Sequence, residues 1–310
     1  MKHYSITPTP VVTLGYFSKK LGVNLLCKRD DLFPIAGGGN KARMLQYILA
    51  DVSKDNTDVL VTAGGPCSNF NRACALMCAQ LGVQMHLVEY TDNPEEFKKS
   101  LNYSLCKLAG VKLTRCSKKN VPQTISNVLE SHLSQRVKHI YGGGKSIEGF
   151  YSYYDAVKEL YDQKIAIDYV FVACGTGTTL TGICAGMHKY YPDSKVYAIS
   201  VARTIDEEMP ILQENMKRLN DYLKSDYDFS NLVLCDRYLA GGYSKYDDKI
   251  VNLIKECASE EGMLLDPVYS GKAFWGMNTI IENERLFAQK NIVFWNTGGV
   301  FNLLSEITTW

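Results

Sequence analysis

The chain has almost no net charge, no long apolar run and no paired-cysteine spacing, and each absence excludes a class of function. Lys and Arg total 34 against 33 Asp and Glu, a formal charge of +1, so the electrostatic footprint of a nucleic-acid or anionic-membrane binder is missing. No apolar stretch approaches the roughly 20 residues that a membrane span needs, and the opening MKHYSITPTP offers no apolar core for a secretion signal. Ten cysteines are scattered without a Cys-x-x-Cys pair, which argues for reduced thiols and against zinc. Cys74 and Cys78, four apart with no histidine pair nearby, are expected to pack inside. Internal repeats, low-complexity tracts and long Pro/Ser linkers are also missing. The expectation is a cytoplasmic chain whose partner is a small molecule, with no metal.

What is present is ample for a core: 310 residues, 46% of them apolar, with a soft prior of two domains. Short apolar, β-branched runs at Val59 to Thr62, Gln84 to Glu89, Tyr169 to Cys174, Val196 to Val201 and Ile292 to Trp295 read as buried strands. Helical periods lie between them, as at Asn69 to Leu81 and Thr179 to Tyr190, and the alternation predicts an α/β fold with parallel sheets. Met209 to Ser230, charged and without a buried strand, is expected to be helix plus surface loop.

Glycine-rich loops carry the chemistry. In Gly37-Gly-Gly-Asn-Lys-Ala-Arg43, three glycines let the backbone approach a flat ligand, Asn40 and Arg43 are polar anchors, and Lys41 supplies a primary amine able to form a Schiff base. Lys41 is the candidate covalent anchor for pyridoxal phosphate. Gly175-Thr-Gly-Thr-Thr179 follows a strand and opens a helix, where free N–H groups and threonine hydroxyls suit a single phosphate. It fails as a dinucleotide fingerprint, which needs glycine where Leu180 stands. Gly64-Gly-Pro-Cys-Ser-Asn69 sets Ser68 and Asn69 at another helix start, a place for a carboxylate. Tyr141-Gly-Gly-Gly-Lys-Ser146 ends like a nucleotide P-loop, but His139 occupies the first glycine position, so a connector between domains is the better reading.

Six ordered stretches then resemble the D-cysteine desulfhydrase and 1-aminocyclopropane-1-carboxylate deaminase family, within the tryptophan-synthase-β-like, fold type II pyridoxal phosphate enzymes. They are Lys28-Arg-Asp-Asp-Leu32, Gly38-Gly-Asn-Lys-Ala-Arg43, Gly64-Gly-x-x-Ser-Asn69, Ala173-Cys-Gly-Thr-Gly-Thr-Thr179, Asp266-Pro-Val-Tyr-Ser-Gly-Lys272 and Asn296-Thr-Gly-Gly299. The resemblance spans nearly the whole chain. It implies two three-layer α/β domains with the cofactor in the interdomain cleft: a large one from 1–45 and 146–310 and a small inserted one from 46–145, usually in a homodimer.

The resemblance also implies roles. Lys41 would be the Schiff-base lysine, Asn40 a cofactor contact, Asn69 the partner of the cofactor ring hydroxyl, and Gly175, Thr176, Gly177, Thr178 and Thr179 the phosphate cup. Thr297 would contact the ring nitrogen. Ser68 would bind the substrate carboxylate or assist proton transfer, with Asn69 and Phe70 beside the substrate, and Tyr243 and Tyr269 would be the paired active-site tyrosines. The deaminase pattern has glutamate after the tyrosine of Asp-Pro-Val-Tyr, and here that residue is Ser270. A weaker electron sink follows, which favours loss of a β-substituent from a small amino acid over opening of a cyclopropane. Deamination, β-replacement and a non-catalytic cofactor-binding protein stay open as alternatives, the last because Phe70 and Trp295 could block the pocket. Cys67, Phe70 and Asn296 depart from the usual neighbours of these motifs and put the substrate in doubt more than the cofactor.

Overall fold

A computed structural model of the chain describes residues 8–93 and 95–310. Ten strands are formed among them: β1 (Val11–Thr13), β2 (Asn24–Arg29), β3 (Val59–Gly64), β4 (Gln84–Tyr90), β5 (Lys112–Cys116), β6 (Val137–His139), β7 (Tyr169–Cys174), β8 (Lys195–Ser200), β9 (Leu232–Cys235) and β10 (Asn291–Asn296). They make a six-stranded sheet in the order β1-β2-β10-β7-β8-β9 and a four-stranded sheet in the order β5-β4-β3-β6. Every pairing is parallel except β1 with β2. The central strands are apolar and buried on both faces, as parallel strands flanked by helices must be.

The four-stranded sheet takes its strands from one stretch of chain, whereas the six-stranded sheet draws on both sides of it. The helix Asn40–Lys54 lies where the two meet and packs on both Asn69–Leu81 and Ile147–Asp162. Its apolar side chains Ala42, Met44, Leu45, Ile48 and Leu49 join one continuous core with Phe70, Cys74 and Cys78 from one side and Phe150, Val172 and Leu180 from the other. Helix ends follow local chemistry. Ser68 caps Asn69–Leu81 by accepting the Asn71 N–H at 3.2 Å, and Gly82 ends it in a left-handed turn. The charged stretch expected to be helix plus loop is the later part of the helix Ile205–Leu223, opened by a capping box of Thr204 and Glu207, followed by a loop that leads to β9.

The four-stranded sheet holds a pH-sensitive pair. His86 on β4 and His132 are buried with ring nitrogens 2.9 Å apart; Thr114 on β5 meets the far side of His86 at 2.8 Å, and Gln135 meets His132 at 2.7 Å. One neutral assignment satisfies all three contacts: His132 donates to Gln135, His86 donates to His132, and Thr114 donates to His86. Burial, helped by Lys112 and His132, lowers the His86 pKa from 6.5 to about 4. The unfolded chain therefore takes up a proton between those values that the native state refuses, so the destabilisation is nil above pH 6.5 and grows as pH falls to 4. The melting temperature is expected to drop across that window, and less steeply in His86→Gln; equal slopes in the two proteins would refute the assignment.

Candidate active site

The site is assembled where loops following three strands meet the start of Asn40–Lys54. Gly39 has φ of +88°, and a Cβ there would stand 2.9 Å from the Thr297 carbonyl, so only glycine lets the lysine loop lie against the end of β10. The Asn40 N–H donates to that same carbonyl at 2.9 Å, and the Asn40 side-chain amide donates to the Thr179 hydroxyl at 2.9 Å. Lys41 is thereby fixed next to the phosphate-type loop. Its ammonium donates to the Gly143 carbonyl at 2.9 Å, and burial lowers its pKa to about 8. Losing its own proton, and so becoming a free nucleophile or base near neutral pH, thus costs this amine far less than it costs an ordinary lysine.

Gly143 was the contact that sequence reasoning missed. It sits in the 142–144 turn at φ of +76°, and a Cβ on it would come 2.9 Å from the Thr176 methyl. The Gly142-Gly-Gly144 run, read from sequence as a mere connector, is one wall of the site. Its repeated glycine was the available signal, because backbone so close to both Lys41 and Thr176 leaves no room for a side chain.

Residues Gly175 to Thr179 follow β7 and open the helix Thr178–Tyr190. Gly177 stands at the N-cap without a side-chain acceptor, while Thr178 and Thr179 are buried. The amides of a buried first turn are then left for an anion. Arg203 donates to the Gly175 carbonyl at 2.8 Å and pairs with the buried Glu208 at 2.8 Å, so the loop is braced from behind. This donor set fits a phosphate monoester.

Tyr269 closes the site on the side of Gly175, whose Cβ would touch its ring at 3.3 Å. Its hydroxyl meets that of Tyr243 at 2.7 Å. Half of the Tyr243 residue is exposed, yet burial pushes its hydroxyl up to about 12; that of Tyr269 is raised as well. Both phenols hold their protons at neutral pH. Cys67, next to Ser68, lies near both hydroxyls. Its own thiol is pushed to about 11 by burial, so it is not a reactive thiolate. Asn69 opens the helix capped by Ser68, and its side-chain oxygen accepts from Asn102 at 3.1 Å. With its oxygen so engaged, Asn69 has its amide hydrogens to offer.

Three residues stand differently from the sequence reading. Arg43 does not anchor a ligand: it is 4% exposed and bonded to Asp30 and Glu159 behind the lysine loop. Trp295 lies wholly in the core with its indole N–H on Asp30 at 2.9 Å. Phe70 is 1% exposed and packs in the core beside Gly144, behind the Ser68-Asn69 turn rather than as an open substrate contact. Because Phe70 and Trp295 face inward, the ground for a blocked, non-catalytic pocket disappears. Bulky apolar side chains gain more by joining the core than by lining a polar site.

A family model for pyridoxal-phosphate dependent enzymes matches residues 3–298. The chain belongs to that family. Its members depend on pyridoxal phosphate, and the Lys41, Asn40 and 175–179 arrangement is suited to that cofactor. The crystal structure of an ACC deaminase homologue is similar to this chain at 28% identity and a TM-score of 0.88, over 98% of this chain and 93% of that one. A hydrogen sulfide-producing enzyme from Fusobacterium nucleatum matches at 16% identity and a TM-score of 0.68, covering 94% of each chain. Threonine deaminase isoform 2 from Solanum lycopersicum matches at 18% and 0.68, over 98% of this chain and 83% of its own. The last two share the fold: an α/β architecture of mostly parallel sheets, fold type II.

Proposed function

We propose that this pyridoxal-phosphate-dependent enzyme is a lyase that removes the β-substituent of a small amino acid, with D-cysteine, converted to pyruvate, ammonia and sulfide, as the leading substrate. The observation that carries the reading is the state of Asp266 and Ser270. Asp266 is 1% exposed and accepts N–H groups of Val268, Tyr269 and Ser270 at 2.8–3.1 Å, together with the Ser270 hydroxyl at 2.7 Å. Both carboxylate oxygens are thus engaged in holding the turn, and the position that carries glutamate in the deaminase pattern offers only a hydroxyl already donated. Thr297 is left as the hydroxyl at the end of β10.

Pyridoxal phosphate, when bound, draws electron density from the α-carbon of an attached amino acid, and does so less strongly when its ring nitrogen is not protonated. Under this reading the 175–179 amides and threonine hydroxyls hold the phosphate, Asn69 donates toward the ring oxygen, and Ser68 and the adjoining helix start hold the substrate carboxylate. Lys41 anchors the cofactor and, once free, takes the α-proton as a base whose pKa burial has already lowered to about 8. The Tyr243–Tyr269 pair holds a proton at the β-side. Tyr243→Phe is expected to reduce kcat by roughly 100-fold with cofactor content unchanged, at the lower end of what a positioned acid contributes. An unaltered kcat in that variant removes the tyrosine from the reaction.

A second reading, deamination of the cyclopropane amino acid, is favoured by the likeness to the ACC deaminase homologue. Incubating the cofactor-loaded protein with D-cysteine, L-cysteine and 1-aminocyclopropane-1-carboxylate separates the two. Pyruvate and sulfide in equal amounts from D-cysteine, without 2-oxobutyrate from the cyclopropane, is the expected result; 2-oxobutyrate without sulfide reverses the order.

A further inference from the structure

Lys272 is fully buried in the helix Ser270–Asn283, and its ammonium meets no carboxylate in an ion pair among the described residues. It donates instead to three backbone carbonyls: Gly242 at 2.6 Å, Leu239 at 2.8 Å and Val201 at 3.4 Å. Two of the three belong to the loop that carries Tyr243. That loop is costly to hold, since Ala240 and Ser244 have φ of +48° and +62° and the two glycines between them are also positive. Its own backbone bonds, Gly242 to Leu239 at 3.0 Å and Lys245 to Gly242 at 3.2 Å, are few. Tyr269, three residues before Lys272, stands at the N-cap of the same helix. One helix start therefore carries one tyrosine directly and reaches through Lys272 to the loop bearing the other. The third carbonyl, Val201, lies two residues from Arg203, which braces the 175–179 turn.

We infer that Lys272 is a positioning residue, a tethered cation in a cage of three backbone carbonyls that fixes the 239–243 loop and so sets the Tyr243 hydroxyl against Tyr269. It follows that the cage, emptied of the side chain, is a site for a monovalent cation of potassium or ammonium size. Three neutral carbonyls without a carboxylate match a weakly hydrated single charge, whereas calcium and magnesium favour carboxylate-rich oxygen shells. The catalytic consequence rests on the role proposed for Tyr243; the anchoring of the loop does not.

The test uses cofactor-loaded Lys272→Met and Lys272→Ala. Hydrogen exchange at 239–244 reads the anchoring alone, and it is expected to quicken in both variants, in Ala only until potassium or ammonium chloride is added. Lithium chloride is expected to restore nothing. Lys272→Met, whose side chain fills the cage without charge, is expected to stay loose in every salt. Turnover in both variants falls roughly 10- to 100-fold in kcat with cofactor absorbance per chain retained, as for a displaced catalytic group. Adding Tyr243→Phe to Lys272→Met is expected to cost nothing further, since the two act as a unit. Should Lys272→Met not fold, Lys272→Ala purified in ammonium chloride and then exchanged into lithium chloride gives the same reading. Wild-type exchange at 239–244 in lithium chloride overturns the inference, as do fully additive losses in the double variant. Quickened exchange together with a normally active Tyr243→Phe upholds the anchoring and discards the tyrosine's part in the reaction.

Discussion

Lys41→Ala is expected to abolish turnover, by at least about 1,000-fold, because one substitution removes both the anchor and a positioned base. Borohydride treatment of the loaded wild-type protein is expected to leave the cofactor covalently on the peptide containing Lys41, and to label nothing in the variant. The fold should survive. The amine donates to the Gly143 carbonyl at 2.9 Å and only weakly to the Met44 sulfur at 3.9 Å, and burying its charge opposes folding, as its pKa of about 8 records. Removing it leaves one carbonyl short of a donor, an effect of about 1 kcal/mol that the relieved charge offsets. A melting temperature close to the wild type's, with activity lost, separates this outcome from general collapse. Labelling at Lys272 or Lys145 in place of Lys41, or near-normal turnover in the variant, would falsify the assignment.

The loops of this site were legible because glycine, threonine and lysine in those orders have few uses besides close approach and anion binding. Asn40 reaches Thr179, and Lys41 beside it in the chain reaches Gly143. The buried strands were legible for a related reason: β7 coincides with the apolar run from Tyr169 to Cys174, and the helix Asn69–Leu81 with its helical period. What escaped notice were the edges. β5 reads Lys-Leu-Thr-Arg-Cys and β6 Val-Lys-His, each half-exposed at a border of the four-stranded sheet, so neither shows a continuous apolar run. β2 was hidden because it ends in Lys28 and Arg29, although Lys28 is fully buried.

Partnership across the chain was not legible at all. Nothing in the sequence says that the Gly142-Gly-Gly144 turn returns to Lys41 from 102 residues away, or that Lys272 reaches Leu239 and Gly242. Nor does motif position separate the lysine that faces the site from the arginine two residues later that turns its back on it. On a helix that two-residue step moves a side chain more than half-way round the axis, so neighbours in a motif can serve opposite faces.

Asp30→Ala is expected to lower stability by about 3–5 kcal/mol, the loss seen when one member of a buried ion pair is removed. Asp30 is fully buried and accepts from Arg43 at 2.8 and 3.1 Å, Thr9 at 2.7 Å, Tyr153 at 2.6 Å and Trp295 at 2.9 Å. Burial alone would raise its carboxyl, but the Arg43 guanidinium overrides that and holds it below the usual range. Without it, the buried Arg43 and Lys28 share the single carboxylate of Glu159, and a phenol and an indole lose their acceptor. Urea unfolding reads this as a lower midpoint at unchanged slope; a shift under about 1 kcal/mol would show the pair to be dispensable, as surface pairs are. The consequence reaches the chemistry through the backbone. The Asp30 carbonyl accepts the Gly39 N–H at 2.9 Å, and Arg43 lies one half-turn beyond Lys41 on the same helix. A loosened cluster therefore loosens the start of that helix, and faster loss of cofactor on dilution should accompany the fall in stability. Asp30→Asn, which keeps an acceptor but not the charge, is expected to fall between the two.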